Sequence, residues 1–395
     1  MFADLKPAFH LMQITKIHLY FFLLTVLLPP TGLFSQEETK QKKLRFSADA
    51  KFRFEQDWNS RKSDGTYRDD RFRIRFRVRA GLNYSPNDWA SFGIRFRTGY
   101  AEKQQDPNLT IGDGYHEFES VPIGMDKLFF RVKLKSFDGW LGRNTLPFER
   151  QNELFWSDHV AIDGLYLSSK QTTDANWIDG IGYSGGLFTM LNSYGTFDED
   201  SFIGIVQLTT SHLDNRLRIF PTFYFFNNMP DIPDGNETNR FDYKIIHLGV
   251  KALVLDHPKI SLGIDLYQNL QNYTDDQLIP EALKDQKTGI VFNALFGSLA
   301  KKGDIAFGLD LTYLERYAAV DFIAQNDWVR WDYSGQGSRD GRLTNYKGIS
   351  LMTGYRISKM LQVKVRYFTV EQLIPYGSSL ENGNRIRLDF DFRFF

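Results

Sequence analysis

RFRIRFRVRA, residues 71–80, places an arginine at every second position and an apolar side chain after each arginine. Side chains alternate between the two faces of a β-strand, so this stretch predicts a strand with one cationic face and one apolar face. Its arginines are Arg71, Arg73, Arg75, Arg77 and Arg79. An environment that accepts both faces has to be apolar on one side of the strand and aqueous on the other.

The same alternation recurs along the chain, and helical periodicity is hard to find. It is clear in LRFSADAKFRF at 44–54 and in RIRLDFDFRFF at 385–395, so both ends of the mature chain are predicted strands. The pattern predicts about sixteen strands in all. They fall at 44–55, 70–84, 88–100, 127–136, 138–144, 160–169, 176–188, 201–212, 215–226, 241–255, 259–270, 288–299, 304–316, 342–356, 360–370 and 384–395.

The composition excludes several classes of protein. The chain has 395 residues, no cysteine, and 48 basic against 48 acidic residues. Thiol catalysis and cysteine-ligated zinc are therefore excluded, and no excess of positive charge favours a nucleic-acid partner. After residue 36, no apolar run is long enough for a membrane-spanning helix. The remaining classes are a secreted soluble protein and a transmembrane β-barrel.

The connections between the predicted strands alternate in length. Short turns such as SPND at 85–88 and KKGD at 301–304 contain the Pro, Gly, Asn and Asp residues of tight reversals. Long polar connections lie at 56–69, 101–126, 145–159, 189–200, 227–240, 271–287, 317–341 and 371–383. Short periplasmic turns and long external loops are typical of outer-membrane barrels. We therefore predict an all-β fold, a closed antiparallel transmembrane β-barrel spanning residues 44–395.

The N-terminal residues have the order of a secretory signal peptide. Lys16 precedes the apolar run IHLYFFLLTVLLPP, after which the chain turns abruptly polar. We expect a signal peptide at 1–35, with Met12 as a possible true start, and a short periplasmic segment at 36–43. The alternative is a retained N-terminal anchor, although the run is shorter than the ~20 apolar residues of a spanning helix.

A membrane decides which face of the predicted barrel carries the arginines. A cation at the lipid midplane costs about 2–4 kcal/mol, so five arginines on one strand have to face the lumen. Neighbouring strands add further cations to the same face, and together they form one basic quarter of the lumen. Besides the five arginines of 71–79, the residues predicted to line the pore are Arg95, Arg97, Arg131, Lys133, Arg385 and Arg387.

The connection at 145–159, TLPFERQNELFWSDH, offers counter-charges for this basic wall. Its charged residues are Glu149, Arg150, Glu153 and Asp158. If the connection folds inward, it forms a constriction loop whose acids lie across from the arginines, and crossed charges of this kind select polar, hydrated solutes. The alternative is an ordinary surface loop whose acids are solvated. The inward arrangement predicts a water-filled diffusion channel.

Three stretches resemble Gram-negative outer-membrane porins, most nearly the putative porins whose first hairpin carries an arginine ladder. The first is RFRIRFRVRAGLNYSPNDWASFGIRFRTG at 71–99. The second is WLGRNTLPFERQNELFWSDHVAIDGLYL at 140–167, which is similar to the porin segment in which a Gly-Arg pair leads into the constriction loop. The third is the final Phe395, which resembles the C-terminal signature that barrel-assembly machinery recognises.

The resemblance implies a sixteen-stranded barrel, a homotrimer, that conducts small hydrophilic solutes and needs no cofactor. It adds Arg143, from the Gly-Arg pair, to the predicted pore lining. Its implied partners are outer-membrane lipid and lipopolysaccharide, the assembly machinery and the solutes themselves. The implied location is the outer membrane.

Other functions stay open as alternatives. A substrate-specific channel for phosphate or an oligosaccharide is the nearest, and an adhesin is more distant. A barrel enzyme requires a histidine placed with serine or with carboxylates. No histidine of the mature chain has a recognisable catalytic spacing, so we predict no catalytic residue and no metal site; they are His116, His159, His212, His247 and His257. A nucleic-acid partner conflicts with the secretory leader.

Overall fold

The computed structural model describes most of the chain after residue 42. The described residues are 43–100, 107–112, 120–173, 175, 177–190, 200–231, 239–328 and 341–394. The predicted signal peptide, nearly all of the predicted periplasmic segment, and Phe395 lie outside the described residues. Among the described residues, no helix is long and apolar enough to cross a membrane.

The described residues form sixteen long strands and one two-residue strand, β4. Their bounds are β1 Leu44–Arg61, β2 Arg71–Tyr84, β3 Ala90–Thr98, β4 Leu109–Thr110, β5 Ile123–Lys133, β6 Phe137–Thr145, β7 Ala161–Thr172, β8 Gly180–Thr189, β9 Phe202–His212, β10 Leu217–Pro230, β11 Arg240–Asp256, β12 Lys259–Asn269, β13 Thr288–Gly297, β14 Ile305–Leu314, β15 Tyr346–Arg356, β16 Leu361–Gln372 and β17 Asn382–Arg393. Each of the sixteen predicted strands coincides with one long strand. Two one-turn 3₁₀ helices, Glu281–Leu283 and Asp321–Ile323, lie in connections.

The strands close into an antiparallel barrel. Each long strand pairs with its neighbours in sequence, and β1 pairs with β2 on one side and with β17 on the other. Closure pairs the strand edges, which lipid could not satisfy with hydrogen bonds. The first strand runs six residues beyond its predicted end at residue 55, because its pairing with β17 continues to Arg61 opposite Asn382.

The two faces of the wall follow the sequence alternation. On β2, Phe72 is 59 % exposed, whereas Arg77 is 6 % exposed. The apolar side chains of β1 and β2 therefore cover the outside of the barrel, and their charged side chains point into the lumen. This is the orientation that a surrounding bilayer requires.

Part of the lumen is filled by two connections that lie against the inside of the wall. The first is the β6–β7 loop, residues 146–160, and the second is the β14–β15 loop, described over 315–328 and 341–345. Trp156 of the first loop is 1 % exposed. Phe155 stacks on Tyr267 of β12, with ring centroids 4.9 Å apart. These apolar contacts hold the β6–β7 loop within the barrel, and Val320 and Ile323 of the β14–β15 loop belong to the same buried apolar cluster.

Candidate functional site

The inner faces of β17, β1 and β2 carry charged side chains in five rows, which we call the charged wall. The strand register aligns one residue from each strand in every row. From the end with long loops to the end with short turns, the rows are Arg385–Asp57–Arg71, Arg387–Glu55–Arg73, Asp389–Arg53–Arg75, Asp391–Lys51–Arg77 and Arg393–Asp49–Arg79. The arginines of residues 71–79 are thus interleaved with carboxylates of the neighbouring strands.

Carboxylates of β1 hold the arginines of the two rows nearest the long loops. Glu55 is 1 % exposed, accepts a 2.5 Å hydrogen bond from Nε of Arg387, and pairs with Arg73. Asp57 lies 2.5 Å from Arg71 and 2.5 Å from Arg385. A buried carboxylate between two guanidinium groups compensates charges that would otherwise be costly inside the barrel.

The remaining rows are paired along the wall as well. Arg53 lies 2.6 Å from Asp389, and Lys51 lies 3.3 Å from Asp391. In the last row, Nε of Arg79 lies 2.9 Å from Asp49. The wall keeps an excess of positive charge, because its five rows contain ten basic residues and five carboxylates.

Four further predicted pore-lining residues extend the basic surface onto β3 and β5. Arg95 lies 2.7 Å from Asp126, and Arg97 is buried. On β5, Arg131 is opposite Trp140, which belongs to the buried apolar cluster inside the barrel. Lys133 lies two residues further along the same face. Their role in lining a pore stays a prediction.

Arg143 is placed differently from the other predicted pore-lining residues. It is opposite Leu128 and shares a face of β6 with Leu141, and these two leucines are 51 % and 60 % exposed. Its guanidinium lies 2.5 Å from Asp163, the residue opposite on β7. Because Trp140 points inward and side chains alternate, the residue three positions later points outward. Arg143 therefore faces the outside of the barrel, away from the charged wall.

The β6–β7 loop is fixed to the opposite wall by polar contacts. The backbone N–H of Glu149 donates to the Gln207 side chain over 2.8 Å, and the Glu149 carboxylate lies 2.6 Å from Arg218. Asn152 donates to Asp265 over 2.5 Å, and the same carboxylate lies 2.7 Å from His247. Of the predicted constriction acids, Glu149 thus pairs with β10 and does not face the arginines of β2.

The other charged residues of this loop line polar space inside the barrel. Arg150 pairs with Asp158 of the same loop. Glu153 accepts a 3.0 Å hydrogen bond from Gln325 of the β14–β15 loop. His159 has a ring nitrogen 3.4 Å from Arg77. Burial and nearby cations, Arg77 foremost, hold the pKa of His159 well below its usual value, so this ring is neutral near pH 7.

The β14–β15 loop contributes a carboxylate that sequence reasoning missed. Asp327 lies 3.8 Å from Arg53 and 3.5 Å from Arg366, and it also contacts Arg387. Burial alone would raise the pKa of Asp327, but these guanidinium groups outweigh burial and hold the pKa well below its usual value. The loop therefore adds a permanent negative charge to the charged wall.

A cavity of about 170 Å³ lies between the charged wall and the two loops. Its charged lining comprises Lys51, Arg53, Arg77, Arg79, Lys364, Arg366, Arg393, Asp49, Glu153, Asp158, Asp327 and Asp391. Seven basic side chains thus face five carboxylates. A second polar cavity, of about 490 Å³, adjoins it and shares Glu153, Asp158, Gln325 and Arg366 as lining residues. We call the two together the channel cavity.

The balance of charges that line the channel cavity is expected to depend on pH through Glu153. Burial, with the neighbouring carboxylates of Asp158 and Asp327, raises its pKa to about 7. As pH falls from 8 to 6, Glu153 gains a proton and the channel cavity loses one negative charge. We expect the permeability ratio of chloride to potassium, measured as a reversal potential, to rise about two- to threefold. This is the Coulomb effect of one charge across roughly 7 Å of water, about halved by salt screening and opposite in sign for the two ions.

The Glu153→Gln variant tests this assignment, because its side chain is neutral at every pH. Its permeability ratio should resemble that of the wild type at pH 6 and change little between pH 6 and pH 8. Glu149→Gln, a substitution in the same loop beside Arg218, serves as the matched control and should keep the wild-type pH dependence. An unchanged pH dependence in Glu153→Gln would assign the titration to another group.

Comparison with known proteins gives one sequence family and a shared fold. Residues 41–217 match the family described as putative porin. OprB of Pseudomonas putida is 13 % identical, with a TM-score of 0.56, over 89 % of this chain and 94 % of that chain. OmpF of Salmonella typhi, solved in complex with daunomycin, is 12 % identical, with a TM-score of 0.51, over 89 % of this chain and 97 % of that chain. No curated protein matches the sequence.

Proposed function

We propose that the chain is a non-enzymatic, porin-type channel of the outer membrane, similar to the putative porins over residues 41–217, and that it favours small anionic solutes. Passive diffusion through the channel cavity past the charged wall is the proposed mechanism. The observation that carries this proposal is the excess of basic side chains in the smaller part of the channel cavity, where seven face five carboxylates.

The electrostatics of the cavity support anion preference. A narrow passage with low-dielectric walls concentrates counter-ions of the opposite sign to its net charge. Ion pairs hold the basic groups in place, as in the 2.6 Å contact between Arg53 and Asp389. A solute therefore meets fixed charges and needs no rearrangement of side chains to pass. The five carboxylates moderate the attraction, which allows a solute to leave as well as to enter.

A substrate-specific channel for phosphate or an oligosaccharide is the alternative. Tight recognition of phosphate uses guanidinium groups that direct several donors at one anion. In this cavity, Arg53, Arg79 and Arg366 each lie within 4 Å of a carboxylate of the protein itself. Donors that are already shared in this way favour general selectivity by charge over a tight binding site.

The assembly and location of the chain extend the proposal. We propose a homotrimer set in outer-membrane lipid and lipopolysaccharide, inserted by the barrel-assembly machinery through the C-terminal strand that ends in Phe395. The apolar outer faces of β1 and β2 and the resemblance to porins support this arrangement. We expect the detergent-solubilised protein, cross-linked and left unheated, to migrate at three times the monomer mass. Migration at the monomer mass under the same conditions would contradict a trimer.

Uptake into liposomes tests the proposed function. Purified protein is reconstituted into vesicles, and swelling rates are compared for a neutral sugar, a sugar acid and an amino sugar of similar size. We expect all three to enter, with the sugar acid fastest, because the passage concentrates anions. Vesicles that do not swell in any of the three solutes would contradict a diffusion channel. Faster entry of the amino sugar would contradict anion preference.

A further inference from the structure

The β14–β15 loop brings a carboxylate, that of Asp327, to the charged wall. Asp327 lies between Arg53 of β1, Arg366 of β16 and Arg387 of β17. Asp327 is 8 % exposed, yet it lines the smaller part of the channel cavity. The carboxylate thus acts on the wall and on the passage at once.

Buried contacts on both sides of the described gap in this loop hold Asp327 in place. Asp321 accepts hydrogen bonds from the backbone N–H groups of Arg342 and Leu343, over 3.0 Å and 2.8 Å. Trp328, the residue after Asp327, is 2 % exposed and packs against Tyr346, with ring centroids 6.0 Å apart. The carboxylate is therefore held at the wall by the fold of the loop.

The same loop is hydrogen-bonded to the β6–β7 loop beside the channel cavity. The backbone N–H of Ser157 donates to the Ile323 carbonyl over 2.9 Å, and that of Gln325 donates to the Leu154 carbonyl over 3.2 Å. Three consecutive residues of the β14–β15 loop, from Gln325 to Asp327, line the smaller part of the cavity. The passage is thus bounded by two loops, and each brings carboxylates to the basic side chains.

We propose that Asp327 is a specificity-determining residue through which the β14–β15 loop sets how strongly the channel prefers anions. This inference rests on the proposed function. The charge of Asp327 offsets one of the seven cations in the smaller part of the channel cavity. Asp327 does so from a loop, whereas Asp49 and Asp391 belong to the strands of the wall. A change at this position alters the selectivity of the passage without altering a strand.

The test compares reversal potentials in planar bilayers under a potassium chloride gradient at pH 8. Asp327→Asn removes one negative charge, and we expect the chloride-to-potassium permeability ratio to rise about two- to threefold. This is the Coulomb effect of one charge across roughly 7 Å of water, about halved by salt screening and opposite in sign for the two ions. Asn326→Asp adds one negative charge at the neighbouring lining position and is expected to lower the ratio by a similar factor. The second variant keeps all wall partners and does not depend on how well the first one folds.

Two control variants separate charge from disturbance of the loop. Asp327→Glu keeps the charge and should leave the ratio near the wild-type value. Asp275→Asn removes an exposed carboxylate from a different external connection and should also leave it unchanged. An unchanged ratio in Asp327→Asn, or an unchanged ratio in Asn326→Asp, would overturn the role of Asp327. A wild-type channel without anion preference would contradict the proposed function, while opposite shifts in the two variants would still support this inference.

Discussion

Replacing Glu55 by alanine is expected to lower the free energy of unfolding by about 3–5 kcal/mol, the usual cost of removing one partner from a buried ion pair. The Glu55 side chain is 0 % exposed and pairs with both Arg73 and Arg387. Without it, two guanidinium groups remain inside the barrel with less compensation. Urea unfolding in lipid vesicles, followed by tryptophan fluorescence, measures the loss.

Asp138→Ala is the matched control for this loss of stability. Asp138 also pairs with an arginine, but the side chains of Asp138 and Arg131 are 26 % and 45 % exposed. Exposed ion pairs contribute about 0–1 kcal/mol, so this variant should unfold nearly as the wild type does. Equal losses in the two variants would show that burial of Glu55 between arginines does not stabilise the barrel.

Reversing the charge of both Arg77 and Arg79 is expected to turn the channel from anion-preferring to cation-preferring. Both side chains line the channel cavity. The substitutions to glutamate would change the lining of the smaller part of this cavity from seven basic side chains and five carboxylates to five basic side chains and seven carboxylates. The chloride-to-potassium permeability ratio should fall by about tenfold or more, because four units of charge change beside the passage. The reversal potential under a salt gradient measures the ratio.

Arg143→Glu is the control for the charge reversal. Arg143 lies on the outer face of β6, opposite Leu128 and beside Asp163. Its reversal should leave the permeability ratio unchanged, although it removes a cation that the sequence had assigned to the pore. A change equal to that of the double variant would show that net charge alone, and not charge facing the channel cavity, decides selectivity.

The strands and their orientation could be predicted because they depend on local alternation. Phe72 and Phe76 alternate with arginines, and the cost of a cation in lipid leaves one orientation for the strand. The same reasoning holds for the C-terminal strand, where Phe390 and Phe392 alternate with charged residues. To predict which face of a strand points outward, only the sequence of that strand and the contrast between lipid and water are needed.

The pairing within the charged wall could not be predicted, because it depends on register between strands. Glu55 lies opposite both Arg73 and Arg387, which are 18 and 332 residues away along the chain. A shift by two residues would align Glu55 with other members of the same alternating pattern and keep the faces unchanged. The sequence thus predicts a basic wall, whereas the structure reveals how its charges are compensated.

The β14–β15 loop shows a signal that sequence reasoning left unused. The connection at 317–341 was predicted as a polar external loop, although its residues 318–324 read AAVDFIA. Six of these seven residues are apolar, and Val320 and Ile323 are fully buried in the apolar cluster inside the barrel. An apolar run within a long polar connection indicates that the connection folds back onto the protein. Burial of this run inside the barrel brings Asp327, three residues after it, to the charged wall.

The reversal potential of the wild-type channel under a tenfold gradient of potassium chloride at neutral pH tests most directly whether the basic wall governs passage. We expect ohmic conductance steps and a potential of the sign that marks chloride as the more permeant ion, because seven basic side chains face five carboxylates in the smaller part of the channel cavity. A potential of the opposite sign, or one that indicates equal permeability of the two ions, would contradict selection by this wall.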